Sequence, residues 1–153
     1  MQNSEVITVQ KWMKRAVEDL QLMEQRKLAI GALNIRIRRL EADMVSLTGA
    51  GGGKTPVKGG GNRQEQRLAT FIDRKRQLEQ AEQGLRELVE HTEKCLQSLP
   101  DKERAVLSAF YLSNLSRTEA VRKLEQELYV SEATVYRIRE RALVSLALML
   151  GYI

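Results

Sequence analysis

Three arginines at alternate positions, Arg137, Arg139 and Arg141, are the residues of this sequence whose type and spacing most clearly indicate chemistry. They lie in the segment 131–149, SEATVYRIRERALVSLALM, behind several small and hydroxyl-bearing side chains. A guanidinium group can donate two hydrogen bonds to a guanine edge, and methyl groups can contact thymine in the major groove. Arginines also bind phosphates, which position a protein on the duplex without selecting a sequence. We therefore expect this segment to bind double-stranded DNA.

The helical period assigns these residues to faces. At about 100° per residue, the face opposite the apolar positions of the segment is centred on Ala133, Arg137 and Glu140. The residues that we expect to face bases are Ser131, Ala133, Thr134, Tyr136 and Arg137. Those that we expect to contact phosphates are Arg117, Arg139 and Arg141. The alternative is a solvated charged face in which Glu140 pairs with Arg137 or Arg141.

Enzymatic chemistry finds little support. His91 is the only histidine, and with Cys95 one turn later it provides two ligands where a metal site usually has three or four. The segment 48–55, TGAGGGKT, is superficially similar to a phosphate-binding loop, but Thr48 stands where that motif needs its first glycine. We expect no catalytic residue, no cofactor and no metal.

The composition indicates an all-α protein, because helix-forming residues dominate and the 153 residues include only two prolines. The net charge of +5 is compatible with nucleic acid, but residues 100–153 hold eight basic and seven acidic side chains. Affinity would therefore have to come from a second copy, a partner or the basic residues upstream. A single cysteine and the lack of a signal pattern or long apolar run predict a cytoplasmic protein without membrane contact.

Two long amphipathic helices are predicted in the first two thirds of the chain. Apolar residues stepping by four and three indicate one helix over 8–47, or two joined near Gly31, and another over 63–99. The Gly-rich stretch 48–63 separates them as a flexible linker. Residues 1–99 should form a coiled-coil-like helical hairpin, closed within one chain or exchanged between protomers, through which we expect a homodimer.

Three helix starts are predicted in the last third. Asp101 can N-cap a first short helix, Ser116 with Glu119 has the pattern of a capping box, and Ser131 can cap the third helix. Tyr129 and Val130 should form the turn before that helix. The expected domain over 100–153 is a trihelical helix-turn-helix unit. The apolar end of its last helix, 143–150, should pack on a partner chain or back on the hairpin.

The segment 99–148 resembles region 4 of bacterial housekeeping-type sigma factors, which binds promoter DNA. LPDKERAVLSAFYLSNLSRTEA is similar to that family's first two helices, and SEATVYRIRERAL to its recognition helix. The whole architecture resembles the ArpU/RinA-type regulators of Gram-positive phages and prophages. The resemblance implies regulation of transcription, activation of phage genes, and RNA polymerase as a further partner. Sigma factors commonly carry a glycine in the turn where this chain has Tyr129.

Two other classes stay open on the sequence. A small terminase-like subunit for phage DNA packaging also joins a helix-turn-helix to oligomerising helices, although here the DNA-binding part comes last. A coiled-coil adaptor that binds only protein would not be retained by DNA even at low salt, where counterion release most favours binding.

Overall fold

The computed structural model describes the backbone of residues 2–48 and 60–153, and the side chains of 11–47 and 63–153. It contains α1 (Gln2–Thr48), α2 (Gly60–Gln97), α3 (Asp101–Leu107), α4 (Arg117–Leu128) and α5 (Glu132–Leu150). A π-helical turn, Ser108–Leu112, continues α3. The described residues contain no strand, so the predicted all-α class is confirmed.

α1 is longer than predicted at both ends, whereas α2 begins earlier than predicted and ends at Gln97 rather than at residue 99. α1 passes through Gly31 without a break, so the first pattern is one helix. Thr48 and residues 60–63, the ends of the predicted linker, belong to α1 and α2. Residues 49–59, which include most of the segment similar to a phosphate-binding loop, lie outside the described residues.

The chain divides into two compact units, and α1 and α2 contribute to both. The first unit combines Met1–Gln25 with Val89–Ile153, and the second is Arg26–Leu88. The predicted domain boundary between residues 99 and 100 lies between α2 and α3. The residues on both sides of it, however, belong to the first unit. None of the helices in the described part of the chain has the length and apolar character needed to cross a membrane.

The second unit is an antiparallel helical hairpin. The amide Nε2 of Gln64 donates to the carbonyl oxygen of Leu47 at 2.9 Å, and Nζ of Lys75 lies 3.3 Å from Oε1 of Glu41. Between these two contacts the residue number rises along α2, from 64 to 75, and falls along α1, from 47 to 41, so the two helices are antiparallel. The predicted apolar seam lies between these helices, with Leu40 buried and its other members half-buried, namely Leu33, Ile37, Met44, Leu47, Phe71, Leu78 and Leu85.

The three short helices of the first unit enclose a common core. Val106 from α3, Ala120 and Leu124 from α4, and Val135 from α5 are almost completely buried in it. Half-buried apolar side chains pack around this cluster, among them Phe110, Leu115, Leu128, Val130 and Ile138. A shared apolar core of this kind is what the predicted trihelical unit requires.

Two of the three predicted helix caps are present. Ser116 and Glu119 form a reciprocal capping box at the start of α4, and Ser131 Oγ accepts a hydrogen bond from the backbone N–H of Thr134 at 3.3 Å. The prediction for Asp101 was wrong. Pro100 is the N-cap, because its extended backbone (ψ 150°) precedes the helix, and Asp101 is already helical and accepts a hydrogen bond from Arg104.

The sequence predicts that the apolar end of α5 packs on a partner chain or back on the hairpin, and in the structure part of it is buried within the first unit, which includes parts of both hairpin helices. Leu143, Leu146 and Ala147 are buried in the first unit. Gly151 ends the helix in a left-handed conformation (φ 83°), a common role of glycine at this position. Tyr152 then donates a hydrogen bond to the buried carboxylate of Asp19 on α1.

Candidate nucleic-acid interface

The exposed face of α5 carries the residues predicted at its centre. Ala133, Arg137, Glu140 and Arg141 are exposed, whereas Thr134 is half-buried. α4, the turn and α5 follow one another as the two helices of a helix-turn-helix. In such motifs the N-terminal residues of the second helix contact base edges while the first helix crosses the backbone. In this chain the exposed residues Ala133 and Arg137 lie in the first two turns of α5.

Arg137 and Arg141 border a groove between α5 and the start of α3. Its volume is about 500 Å³, and Lys102 and Glu103 of α3 lie on its other side. No ion pair joins Arg137 or Arg141 to a carboxylate among the described residues, so the pairing with Glu140 that the alternative interpretation requires does not occur there. The donors of both guanidinium groups are thus available to an anionic ligand. Sequence patterning missed Lys102, because only the packing of α3 on α5 brings it to Arg137.

The opposite flank of α5 holds an aromatic–arginine cluster, which consists of Phe110, Tyr111, Arg117, Tyr136 and Arg139. The Nε of Arg117 donates to the hydroxyl of Tyr136 at 3.1 Å, and the Tyr136 and Phe110 ring centroids are 6.0 Å apart. Tyr136 was predicted to face bases, but it lies half-buried beside α4, away from the centre of the exposed face. Its contacts tie the start of α4 to α5.

Arg139 lies partly inside the aromatic–arginine cluster. Its guanidinium carbon is 5.0 Å from the Tyr136 ring centroid and 5.3 Å from that of Phe110. Its Nε is buried without a hydrogen-bond partner in the described part of the chain. Burial raises the pKa of Tyr111, and the positive charges of Arg139 and Arg117 oppose that rise. Arg139 was predicted to contact phosphate, and its charge is instead half-buried against two rings, whereas Arg117 is exposed.

Ser131 and Thr134 contribute to the start of the helix. Besides accepting from the N–H of Thr134, the Ser131 hydroxyl lies 3.0 Å from that of Thr134. Both hydroxyl groups therefore already have a partner. The predicted base-facing set thus separates into Ala133 and Arg137 on the exposed face, the capping pair, and Tyr136 in the aromatic–arginine cluster.

His91 and Cys95 are the remaining pair of potential metal ligands. Cys95 Sγ lies 3.9 Å from the ring nitrogens of His91, and burial raises the pKa of this thiol. No cluster of three or more potential metal ligands occurs among the described residues.

No protein-family model, curated protein or solved structure matches the chain.

Proposed function

We propose that this chain is a sequence-specific regulator of transcription that binds double-stranded DNA and places α5 in the major groove. The observation that carries the proposal is the pair of exposed arginines, Arg137 and Arg141, which have no carboxylate partner in the described structure. They stand on the second helix of a capped helix-turn-helix. The sequence resemblance to sigma region 4 adds RNA polymerase as a proposed partner and phage or prophage genes as proposed targets.

The residues have different roles in this proposal. Arg137 donates to a guanine edge, while Ala133 lies close enough to the helix start to contact a thymine methyl group. Arg141 and Lys102, which border the same groove, bind phosphate. Arg117, the first residue of α4, binds phosphate at a helix N-terminus, where backbone N–H groups also favour an anion. Tyr136 contacts the start of α4, Arg139 packs against the Tyr136 and Phe110 rings, and neither side chain selects bases.

The test is a binding titration of the full chain against upstream regions of its own genome, beside random duplexes of equal length. We expect one or a few regions to bind with higher affinity. Arg137→Ala should cost about 1–3 kcal/mol on a preferred region and relax the base preference at one position. Arg38→Ala is the matched control, because it removes an exposed arginine from α1 in the second unit.

Two results would count against this proposal. Equal affinity for all duplexes, or none at low salt, would exclude sequence-specific binding. If Arg137→Ala weakens every duplex equally, then Arg137 contacts phosphate and the recognition role assigned to it is wrong. A measurement of the oligomer's mass distinguishes a regulator from a DNA-packaging subunit. A packaging subunit is expected to form a large ring, and a regulator a monomer or dimer.

A further inference from the structure

The positive charge of this chain lies in the second unit, not in the unit that contains the helix-turn-helix. Residues 26–88 hold 13 basic and seven acidic side chains, a net charge of +6. Residues 1–25 and 89–153 hold 12 basic and 13 acidic side chains, a net charge of −1. A phosphate backbone would thus find little net attraction at the unit that carries α5.

Five of the hairpin's arginines lie on one side of it, which we call the arginine face (Arg36, Arg39, Arg63, Arg67 and Arg74). On α1, Arg36 and Arg39 fall in one stripe with Asp43 and Ser46, because neighbours on a helix surface are three or four residues apart. On α2, Arg63, Arg67 and Arg74 fall in a second stripe by the same rule. A groove of about 620 Å³ joins the two stripes.

The lining of that groove shows that the two stripes share a surface. Asp43 and Ser46 of α1 border it together with Arg63, Arg67 and Arg74 of α2. All five residues of the arginine face are exposed, and none of their side chains has a hydrogen bond or ion pair among the described residues. Asp43 is the one acidic side chain in either stripe. By contrast, Lys75 on another side of α2 is paired with Glu41 and Glu79.

The dimensions suit a duplex. From Arg63 to Arg74 the helix rises about 16 Å at 1.5 Å per residue. Double-stranded DNA carries one negative charge per roughly 1.7 Å of its axis, so this length faces several phosphates. The first turn of α2 also contains no acidic residue, which leaves the positive end of the helix dipole uncompensated there.

We propose that the arginine face binds the phosphate backbone of duplex DNA and supplies sequence-independent affinity that the helix-turn-helix unit lacks. The inference rests on the proposed function for its choice of partner, since an exposed surface of unpaired arginines fits a polyanion. In this division of labour the second unit provides attraction to any duplex, and α5 provides the preference among sequences.

The test compares two double variants of the full chain that each remove one arginine from α1 and one from α2. Arg39→Gln with Arg74→Gln changes the arginine face. Arg38→Gln with Arg76→Gln removes the same charge from exposed positions about 100° and 200° further around the respective helices. Affinity for one fixed duplex is measured by fluorescence anisotropy from low to high salt. The helix content of each variant is checked by circular dichroism.

We expect the first double variant to reduce the slope of log affinity against log salt by about 2, because each lost phosphate contact removes about 0.9. Its affinity should fall at least about tenfold at low salt, equally for preferred and random duplexes, while the control changes the slope by less than about 0.5. Equal slopes for the two double variants would overturn the inference, and so would an unchanged slope in the first, as expected if the face binds an acidic protein.

The outcomes for the two proposals can be told apart. A wild-type chain that prefers one duplex, with an arginine face that does not affect the slope, would refute the inference and leave the proposed function standing. A wild-type chain without sequence preference, whose slope still depends on the arginine face, would refute the proposed function alone.

Discussion

The turn between α4 and α5 has a backbone conformation that tyrosine disfavours. Tyr129 has φ 54° and ψ 46°, the left-handed region, and its side chain is 92% exposed. That conformation costs a residue with a Cβ roughly 1–2 kcal/mol, whereas glycine adopts it freely but loses about 0.5–1 kcal/mol more entropy on folding. We therefore expect Tyr129→Gly to raise the free energy of unfolding by about 0.5–1 kcal/mol.

A graded series isolates the backbone as the cause. Tyr129→Asn should be at least as stable as the wild type, since asparagine tolerates the left-handed region. Tyr129→Val should be less stable by about 1 kcal/mol, because a β-branched side chain is a strong outlier there. The exposed ring contributes no packing that these changes could remove. Urea unfolding can be followed by the fluorescence of Trp12, which is the only tryptophan and is buried in the same unit.

The order of stabilities is the result that matters. Glycine above tyrosine and valine below it, at a constant denaturant slope, would support a left-handed turn. A valine variant as stable as the glycine variant would contradict it, and so would a glycine variant less stable than the wild type. This turn sets the direction in which α5 leaves α4, and glycine adopts the same left-handed conformation. The glycine variant should therefore keep any DNA preference of the wild type.

Tyr152→Phe removes the hydroxyl that donates to the buried carboxylate of Asp19, and should lower the free energy of unfolding by about 1–2 kcal/mol in urea. The control Tyr129→Phe loses only an exposed hydroxyl and should be neutral. Burial raises the pKa of the Cys95 thiol and that of the Tyr111 hydroxyl above their ordinary values. The folded state then retains these protons to higher pH than the unfolded state, so stability should fall as pH rises above the ordinary pKa values of the two groups, about 8.5 and 10. The double variant Cys95→Ala with Tyr111→Phe should show a smaller fall in stability. A wild-type stability that rises over the same pH range would contradict the assignment of the fall to these two groups.

Local signals predicted most of the fold. Ser116 and Ser131 were recognisable as caps because their side chains satisfy N–H groups only a few residues away. The apolar seam of the hairpin followed from its helical period. The N-cap of α3 was predicted wrongly at Asp101, because Pro100 already supplies the extended residue that precedes this helix.

Contacts between distant segments could not be predicted in this way. The hydroxyl of Tyr136 meets Arg117, 19 positions earlier, and Tyr152 meets Asp19, 133 positions earlier. The helical wheel placed Tyr136 beside the exposed face, yet the packing of α4 decides which way its ring turns. Gly151 and Tyr152, which follow an apolar run, do indicate such a contact. The residue after a C-terminal glycine often packs against the preceding helix or its surroundings. No comparable signal marks the π-helical turn that brings Phe110 to Tyr136.

α5 is held at both ends, and this bears on how Arg137 could select a base. The Ser131 cap and the left-handed turn hold its start, while Gly151 and Tyr152 hold its end to α1. Because α5 is one continuous helix, a change in packing at its C-terminal half must move the exposed face at its N-terminal half. A base contact depends on small displacements of a guanidinium group. Under the proposed function, the buried half of α5 would therefore contribute to recognition by fixing the direction of the helix, without contacting DNA itself.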